Sequence, residues 1–405
     1  YLGTFLMNLV VLGVISLFFQ SSGKFLGLTS TNANLFLVVL LNILLAYSIR
    51  FLLALLQYEG KAVSYVIVSV MQFLGVLAAT IYLVVQKDLG LAGAVWGKTI
   101  PYGILALCCT IVVLSRYAVL PSFKAFNTLF KFGAPLIVLA LVPPVLKLAD
   151  RFFLNYYVSL EDIGIYSIAY KFGMIINMFL IMPLQKSWLP MMYKIGVEEE
   201  AHTYHRDLLF YYGVVGGAFF LAIAFFHREL ILLAATSDYL KFAFVVPLIT
   251  FAYYLNGFRQ FFVAGASLKD KTPRLAAASA VTIGMSLLLN FTLIRLYGVS
   301  GAAWASLGSY AVLVILIYAA SQRVARIDWY WRRLMKLAIV LAVSFGGVTY
   351  LNTIYSNQTW LWNLTGLIVY IVLLKLTGAV GKRELSGIRY LFSQVLNSKK
   401  LKSNE

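Results

Sequence analysis

Three charged side chains, Lys147, Asp150 and Arg151, lie in a stretch of the sequence that is otherwise almost entirely apolar. Their i, i+3, i+4 spacing places them on one face of a helix, just after a Pro143–Pro144 pair that is expected to break that helix. Charges in such a segment are costly and usually functional. A guanidinium can hold a phosphate through two parallel hydrogen bonds, and a lysine adds a second positive charge. The pattern therefore predicts an anion site, in which Asp150 is either a salt-bridge partner or a group that binds a coupling ion or proton.

The composition indicates a membrane protein. The 405 residues are 61% hydrophobic and 12% charged, with a mean hydropathy of +0.87, whereas about a quarter of the residues in soluble domains are charged. The formal net charge is +18, but the lysines and arginines concentrate in short loops. This distribution indicates that they determine the membrane topology rather than bind nucleic acid. Cys108 and Cys109 are adjacent in an apolar run and are interpreted as small core side chains.

Twelve segments are long and apolar enough to span a bilayer, since a spanning helix needs about 20 residues. They are 1–19, 34–56, 63–85, 91–114, 131–157, 164–186, 208–226, 242–265, 275–295, 300–320, 335–354 and 359–379. One alternate set of connecting loops, together with the C-terminal tail, carries most of the lysines and arginines. This asymmetry predicts that those loops and the C-terminus are cytoplasmic.

An internal repeat relates the two halves of the chain. GLAGAVWG at Gly90–Gly97 returns as GVSGAAWA at Gly298–Ala305, and Arg50 and Arg259 precede the two copies by similar distances. Both copies have the same predicted orientation, so the halves are expected to be related by an axis along the membrane normal. The second half has six segments and the first only four. We therefore expect two further helices before residue 1 and about 14 in the full protein.

These observations predict an all-α polytopic membrane protein with two six-helix lobes and an additional C-terminal helix pair. The predicted organisation is an N-terminal lobe at 1–114, a cytoplasmic linker at 115–130, a C-terminal lobe at 131–320, the helix pair at 335–379 and a basic cytoplasmic tail at 380–405.

Basic residues in several apolar segments are candidates for one anion site. At ~1.5 Å per residue, Lys98, Arg151 and Lys171 lie roughly 10 Å below the predicted outer boundary and would form an outer tier. Arg50 and Arg259 lie near the predicted cytoplasmic ends of their helices and would form an inner tier. Snorkelling to the head groups is an open alternative for both inner residues and for Lys98.

Two tyrosines, Tyr166 and Tyr170, share a helical face next to Lys171. They are predicted either to stack on sugar rings or to pack between helices. His202 and His205 lack the further ligands of a metal site, and we predict neither a metal nor a catalytic residue.

The segment Lys131–Gly173 resembles the seventh and eighth helices of Wzx-type polysaccharide flippases, which belong to the multidrug/oligosaccharidyl-lipid/polysaccharide (MOP) exporter superfamily. The features that carry the resemblance are Gly133-x-Pro135, Asp150-Arg151-Phe152-Phe153-Leu154, Gly164-Ile165-Tyr166-Ser167 and Ala169-Tyr170-Lys171. The glycine motifs at the start of helices 4 and 10 also resemble those of this superfamily, which includes the MATE transporters. So does the pattern of 12 helices in two lobes followed by two more.

The resemblance implies a flippase of the bacterial inner membrane that needs no cofactor and catalyses no reaction. Its substrate would be an undecaprenyl-pyrophosphate-linked repeat unit for O-antigen, capsule or exopolysaccharide, and its partners would include a polysaccharide polymerase and chain-length proteins. The basic tiers would then line a cationic cavity between the lobes, with Lys147, Arg151, Lys171, Lys98, Arg259 and Arg50 binding the pyrophosphate and anionic sugars. Transport would follow an alternating-access mechanism.

Other functions remain open. A cation-coupled multidrug exporter needs carboxylates in the membrane. Asp150 is the only clear candidate for such a carboxylate in this sequence. A lipid II flippase shares the cationic cavity. A membrane-embedded polymerase or ligase needs an active site at the outer surface, where the connecting loops are short, and a non-transporting scaffold does not explain the duplication or the intramembrane charges.

Overall fold

The computed structural model describes residues 30–117, 141–196, 201–269, 271–355 and 359–378, with five isolated positions before residue 17. All regular secondary structure in these ranges is helical. Eight of the described helices are long and apolar enough to cross a membrane. The prediction of an all-α polytopic membrane protein is therefore confirmed. Most of the predicted segment 1–19, most of the linker 115–130 and the tail 380–405 lie outside the described residues.

The chain divides into two compact units, Tyr1–Phe132 and Gly133–Glu405. In the first unit the described helices are α1 (Ser30–Tyr58), α2 (Ala62–Ile81, followed by a π-helical turn at Tyr82–Gln86) and α3 (Gly90–Tyr117). α3 packs against both α1 and α2. A small apolar core, which includes Ile49 and Val113, holds α1 and α3 together.

The second unit is built around one central helix, α9, which packs against α5, α7 and α11. Its helices are α4 (141–157), α5 (Leu160–Gly173), α6 (Met182–Ile195), α7 (Ala201–Phe225), α8 (His227–Ala234), α9 (Val245–Phe262), α10 (Ala264–Ser267), α11 (Thr272–Gln322), α12 (Trp331–Ile354) and α13 (Thr359–Leu376). A π-helical turn at Asn177–Ile181 precedes α6, and a 3₁₀ turn at Ser237–Phe242 precedes α9. The α12–α13 pair packs against α7.

The Pro143–Pro144 pair does not break its helix as expected. Residues 141–157 are helical throughout, so both prolines lie within the first described turn of α4. The charged residues that follow consequently sit on a continuous helix.

The repeated glycine motif forms the same helical turn in each unit. Gly90 has φ +50° and Gly298 has φ +54°, a left-handed conformation that glycine adopts without steric cost. Gly298 divides α11 into two arms, 272–297 and 299–322. A Cβ atom on Gly301 would lie 1.9 Å from the carbonyl oxygen of Leu293 in the first arm, and one on Gly93 would lie 2.8 Å from a carbonyl oxygen of the preceding π-helical turn. The motif therefore encodes a helical hairpin whose backbones nearly touch.

Replacing Gly301 with alanine is expected to destabilise the protein, because the added Cβ atom meets main chain that cannot rotate away. Overpacking of this kind costs about 1–3 kcal/mol. The matched control is Gly284→Ala in the first arm of α11, where the Cβ atom would meet nothing within 4 Å and the higher helix propensity of alanine should stabilise by roughly 0.5–1 kcal/mol. Thermal unfolding of the purified proteins measures both. A Gly301→Ala variant that melts at or above the wild-type temperature would contradict the prediction.

Candidate functional site

The predicted anion site is built on one charged pair inside the second unit. The Asp150 side chain is fully buried, and the Arg151 Nη1 lies 3.1 Å from its Oδ1. The Tyr166 hydroxyl donates to the other carboxylate oxygen of Asp150, and Arg151 Nη1 also donates to the Lys147 carbonyl oxygen at 2.7 Å. Opposite charge and hydrogen bonds together offset the cost of burying the carboxylate.

Local structure explains why Asp150 meets Tyr166. α4 ends near 157 and α5 begins at Leu160, with the Ser159 hydroxyl oxygen accepting a hydrogen bond from the Asp162 N–H at 3.1 Å. This side-chain cap satisfies one of the free N–H groups of the first helical turn. The short capped turn folds α5 back along α4, which brings the hydroxyl-bearing face of α5 to the carboxylate.

The aromatic rings of α5 hold the Arg151 guanidinium in place. Its central carbon lies 4.8 Å from the ring centroid of Tyr170 and 5.8 Å from that of Tyr166, within the range of cation–π attraction. The Arg151 side chain keeps 25% of its surface exposed. In the described part of the chain its side-chain hydrogen bonds engage only Nη1, so Nε and Nη2 remain available to an oxyanion.

Both tyrosines are buried, with no exposed surface. In this arrangement a sugar ring cannot reach either of them, so the structure does not support the predicted sugar stacking and instead shows the helix-packing alternative. Tyr170 is edge-on to Tyr253 of α9, and their hydroxyl oxygens are 3.4 Å apart. Tyr253 in turn packs on Tyr310 of α11, with ring centroids 5.1 Å apart. The rings thus form a rigid polar support beneath Arg151.

Three of the other predicted basic residues belong to the second unit, as Arg151 does. Lys147 is half-buried on α4, while Lys171 is exposed at the end of α5. Arg259 is half-buried on α9 and donates through Nε to the Asn256 side-chain oxygen at 3.0 Å. Within the described residues, the ammonium of Lys147 forms no ion pair.

Two of the predicted residues belong to the first unit. Lys98 Nζ lies 5.3 Å from the centroid of the Tyr102 ring on α3, and Arg50 is exposed on α1. The two predicted tiers each combine residues of both units, and they remain a prediction.

Sequence reasoning did not select Tyr253 or Tyr310. Both lie in predicted spanning segments where a tyrosine is unremarkable. A signal nevertheless existed: counted from the start of the glycine motif, Tyr310 of the second copy corresponds to Tyr102 of the first. A comparison of the two copies beyond their glycines would have found it.

Replacing Tyr166 with phenylalanine is expected to destabilise the second unit, because the buried Asp150 carboxylate loses a donor. Hydrogen bonds to charged groups contribute about 1.5–3 kcal/mol. Tyr170→Phe is the matched control, since the Tyr170 hydroxyl contacts the Tyr253 hydroxyl at 3.4 Å rather than the carboxylate, and the ring that supports Arg151 is kept. Thermal unfolding of the two variants should therefore differ clearly. Equal unfolding temperatures would show that the Tyr166 hydroxyl contributes nothing to the pair.

Comparison with known proteins places this geometry in context. A family model described as "Polysaccharide biosynthesis protein" matches residues 1–196. The matched part contains α4 and α5, and hence Asp150, Arg151, Tyr166 and Tyr170. No curated protein matches the chain.

Solved structures agree with the observed helix arrangement. The lipid II flippase MurJ in an inward closed conformation is similar with a TM-score of 0.73 and 13% identity, over 94% of this chain and 83% of that one. The chain shares the fold of this flippase. Two structures of the Vibrio cholerae MATE transporter VcmN, one of them the bent form, also align, with TM-scores of 0.58 and 0.54, identities of 15% and 14%, and coverage of 80% of this chain and 78% of that chain.

At 13–15% identity the likeness to these structures shows a shared fold. It does not by itself identify a substrate, because one fold supports many functions. Evidence for the function must therefore come from the charged pair on α4 and from the tyrosines that support it.

Proposed function

We propose that the chain is a flippase that moves undecaprenyl-pyrophosphate-linked oligosaccharides from the inner to the outer leaflet of the bacterial cytoplasmic membrane. The product would feed synthesis of O-antigen, capsule or exopolysaccharide. The observation that carries the proposal is the Arg151 guanidinium, held by Asp150 and two buried tyrosine rings with Nε and Nη2 available. It lies within the part of the chain that matches a polysaccharide biosynthesis family.

The charge arrangement suits a pyrophosphate. A guanidinium binds phosphate oxygens through parallel hydrogen bonds, and its fixed orientation reduces the entropy lost on binding. Lys147, on the same face of α4, supplies a second positive charge. Before the substrate arrives, the Asp150 carboxylate neutralises the charge of the Arg151 guanidinium. Binding therefore replaces part of this ion pair with a contact between Arg151 and the charged ligand. This exchange allows release in the outer leaflet, because the site is never left with an uncompensated buried charge.

The proposed transport step is alternating access. In transporters built from repeated halves, rocking of one half against the other exposes a site alternately to the two sides of the membrane. The pyrophosphate and sugars would cross in contact with basic side chains, while the lipid tail would stay in hydrocarbon. No covalent bond changes in this process, so the protein acts as a transporter rather than an enzyme.

Two related functions compete with this proposal. The likeness to the lipid II flippase MurJ is compatible with a lipid II flippase, and the likeness to the MATE transporter VcmN is compatible with the multidrug exporter considered from the sequence. Export of cationic drugs is disfavoured by charge. Asp150 is the only buried carboxylate in the part of the chain that the structure describes, and it is already paired with Arg151.

Reconstitution in proteoliposomes tests the proposal. A fluorescent undecaprenyl-pyrophosphate oligosaccharide and labelled lipid II would be loaded in parallel, and their accessibility to an external quencher would be followed with time. We expect protein-dependent exchange of the oligosaccharide and slower exchange of lipid II. Faster exchange of lipid II would assign the second function, and efflux of a cationic dye without lipid exchange would overturn the flippase proposal.

A further inference from the structure

A large cavity in the second unit combines an apolar wall with a small polar end. It lies between α7, α9, the second arm of α11 and α12, and its volume is about 1090 Å³. Most of the wall is aromatic or aliphatic and includes Phe251, Phe258 and Phe345. Sites for small molecules usually measure roughly 300–1,000 Å³ and combine such a wall with a few convergent polar groups. The polar groups therefore indicate which ligand the cavity binds.

Two polar lining residues, His227 of α8 and Asn352 of α12, are tied to the last turn of α7. His227 Nδ1 lies 2.7 Å from the Ala224 carbonyl oxygen. Asn352 donates through Nδ2 to the Asn363 side-chain oxygen at 2.9 Å, and Asn363 donates in turn to the Phe225 carbonyl oxygen at 2.8 Å. Because Ala224 and Phe225 are neighbours, both polar residues lie at the same end of the cavity. The predicted topology places this end on the outer side of the membrane.

The unpaired atoms of these two side chains are hydrogen-bond acceptors. A carbonyl oxygen only accepts, so His227 Nδ1 carries the proton and Nε2 presents a lone pair. Burial lowers the pKa of the His227 imidazole, which keeps the ring neutral. Asn352 Oδ1 is buried and has no hydrogen-bond partner in the part of the chain that the structure describes. The neighbouring Thr349 already donates its hydroxyl proton to the Phe345 carbonyl oxygen. This end of the cavity therefore needs a donor, since an unpaired buried acceptor is costly.

A hydroxyl head group on a hydrocarbon chain satisfies both parts of the cavity. A hydroxyl can donate to an imidazole nitrogen or an amide oxygen, whereas an ionised phosphate would bring only further acceptors. An ammonium group would lose much of its hydration beside the apolar wall. The lining extends along α12 from Trp331 to Asn352, which at ~1.5 Å per residue is about 30 Å. One leaflet occupies about half of the ~30 Å hydrocarbon core of a bilayer, so a whole acyl chain fits behind the polar end.

The central helix α9 separates this cavity from the site around Arg151. Phe251 and Phe258 line the cavity from one face of α9, whereas Tyr253 on the opposite face contacts Tyr170 of α5. The described lining residues include none from α4 or α5. A ligand in the cavity would thus occupy a place distinct from the head-group site of the proposed flippase.

We propose that this cavity binds a neutral single-chain lipid of the outer leaflet that has a free hydroxyl, of the monoacylglycerol class. Its hydroxyl donates to His227 Nε2 beside Asn352 Oδ1, and its chain runs along α12 between Phe258 and Phe345. The walls belong to α7, α9, α11 and α12. A bound lipid therefore fills the space between α12 and the body of the unit, and stabilises the packing of that helix.

Quenching of tryptophan fluorescence tests the proposal, because Trp304 and Trp331 line the cavity. A monoacylglycerol with bromine atoms on its chain would be titrated into the purified protein in neutral detergent, in parallel with the same compound methylated on both hydroxyls. We expect saturable quenching, with roughly tenfold weaker binding of the methylated compound, because each hydrogen bond between neutral groups contributes a factor of a few. A Trp304→Phe/Trp331→Phe protein should lose the saturable quenching.

Two variants assign the parts of the ligand to the parts of the cavity. His227→Phe keeps an aromatic ring but removes the acceptor, so it should bind both compounds with equal affinity. The matched control is Arg228→Gln, which alters the exposed neighbour on α8 and should keep the preference for the free hydroxyl. Ala342→Phe, which places a ring inside the cavity, should weaken the binding of both compounds.

Three outcomes would overturn the proposal. Equal wild-type affinities for the two compounds would show that the cavity does not recognise a hydroxyl. A preference that persists in His227→Phe would place the head group elsewhere. Stronger displacement of the brominated lipid by undecaprenyl phosphate than by unlabelled monoacylglycerol would assign the cavity to an isoprenoid tail. If Ala342→Phe does not fold, His227→Phe still decides, since it alters a half-buried side chain on a short helix.

Discussion

Replacing both Lys147 and Arg151 with glutamine is expected to lower the rate of undecaprenyl-pyrophosphate oligosaccharide exchange at least about a hundredfold. A hydrogen bond to a charged group contributes about 1.5–3 kcal/mol, and each 1.4 kcal/mol is a factor of ten. The two substitutions remove two such charges from one face of α4. Arg151→Lys should keep a part of the activity, because an ammonium retains the charge but lacks the two parallel donors of a guanidinium.

The exchange assay described above measures this effect, with thermal unfolding as a check that each variant is folded. Arg295→Gln serves as the control for the general loss of positive charge, because its side chain is exposed and remote in sequence from α4. Wild-type exchange by a folded Lys147→Gln/Arg151→Gln variant would show that these charges are structural. The flippase proposal would then need another anion site.

Replacing Asp150 with alanine is expected to destabilise the second unit more than any other single change at the site. The substitution leaves the Arg151 charge without its carboxylate partner and the Tyr166 hydroxyl without an acceptor. Loss of one member of a fully buried ion pair costs roughly 3–5 kcal/mol. Because the Arg151 side chain is 25% exposed and can still turn toward water, we expect a smaller cost of about 2–3 kcal/mol.

Thermal unfolding across a double-mutant cycle isolates this interaction. Asp150→Asn/Arg151→Gln removes both charges, keeps the shape of the Asp150 side chain and leaves an acceptor for Tyr166. It should be more stable than the sum of its single variants indicates, since the repulsive and desolvation costs of an orphaned charge are absent. Strictly additive effects would mean that Asp150 and Arg151 are not energetically coupled, which would remove the basis for an exchangeable ion pair.

Much of this protein could be predicted from sequence because membrane insertion imposes strong local rules. A spanning helix must satisfy its own backbone and present apolar side chains, so the helices at 30–58, 62–81 and 90–117 were visible as apolar runs. The glycine motif was visible as an internal repeat, but the close helical turn that it forms was not predicted from it. The positions of Lys147, Asp150 and Arg151 on one continuous helix follow from the same local periodicity.

Tertiary structure decided what those residues contact. Helical periodicity placed Tyr166 and Tyr170 on one face, but it could not say whether that face meets a ligand or another helix. In the structure it meets α4 and α9, which buries both rings and turns them into supports for Arg151. Helix packing likewise gives the Asp150 carboxylate its second partner, the Tyr166 hydroxyl of α5. Short-range sequence patterns determine which segments become helices, while the packing of their faces, set by many weak contacts at once, determines where each side chain lies.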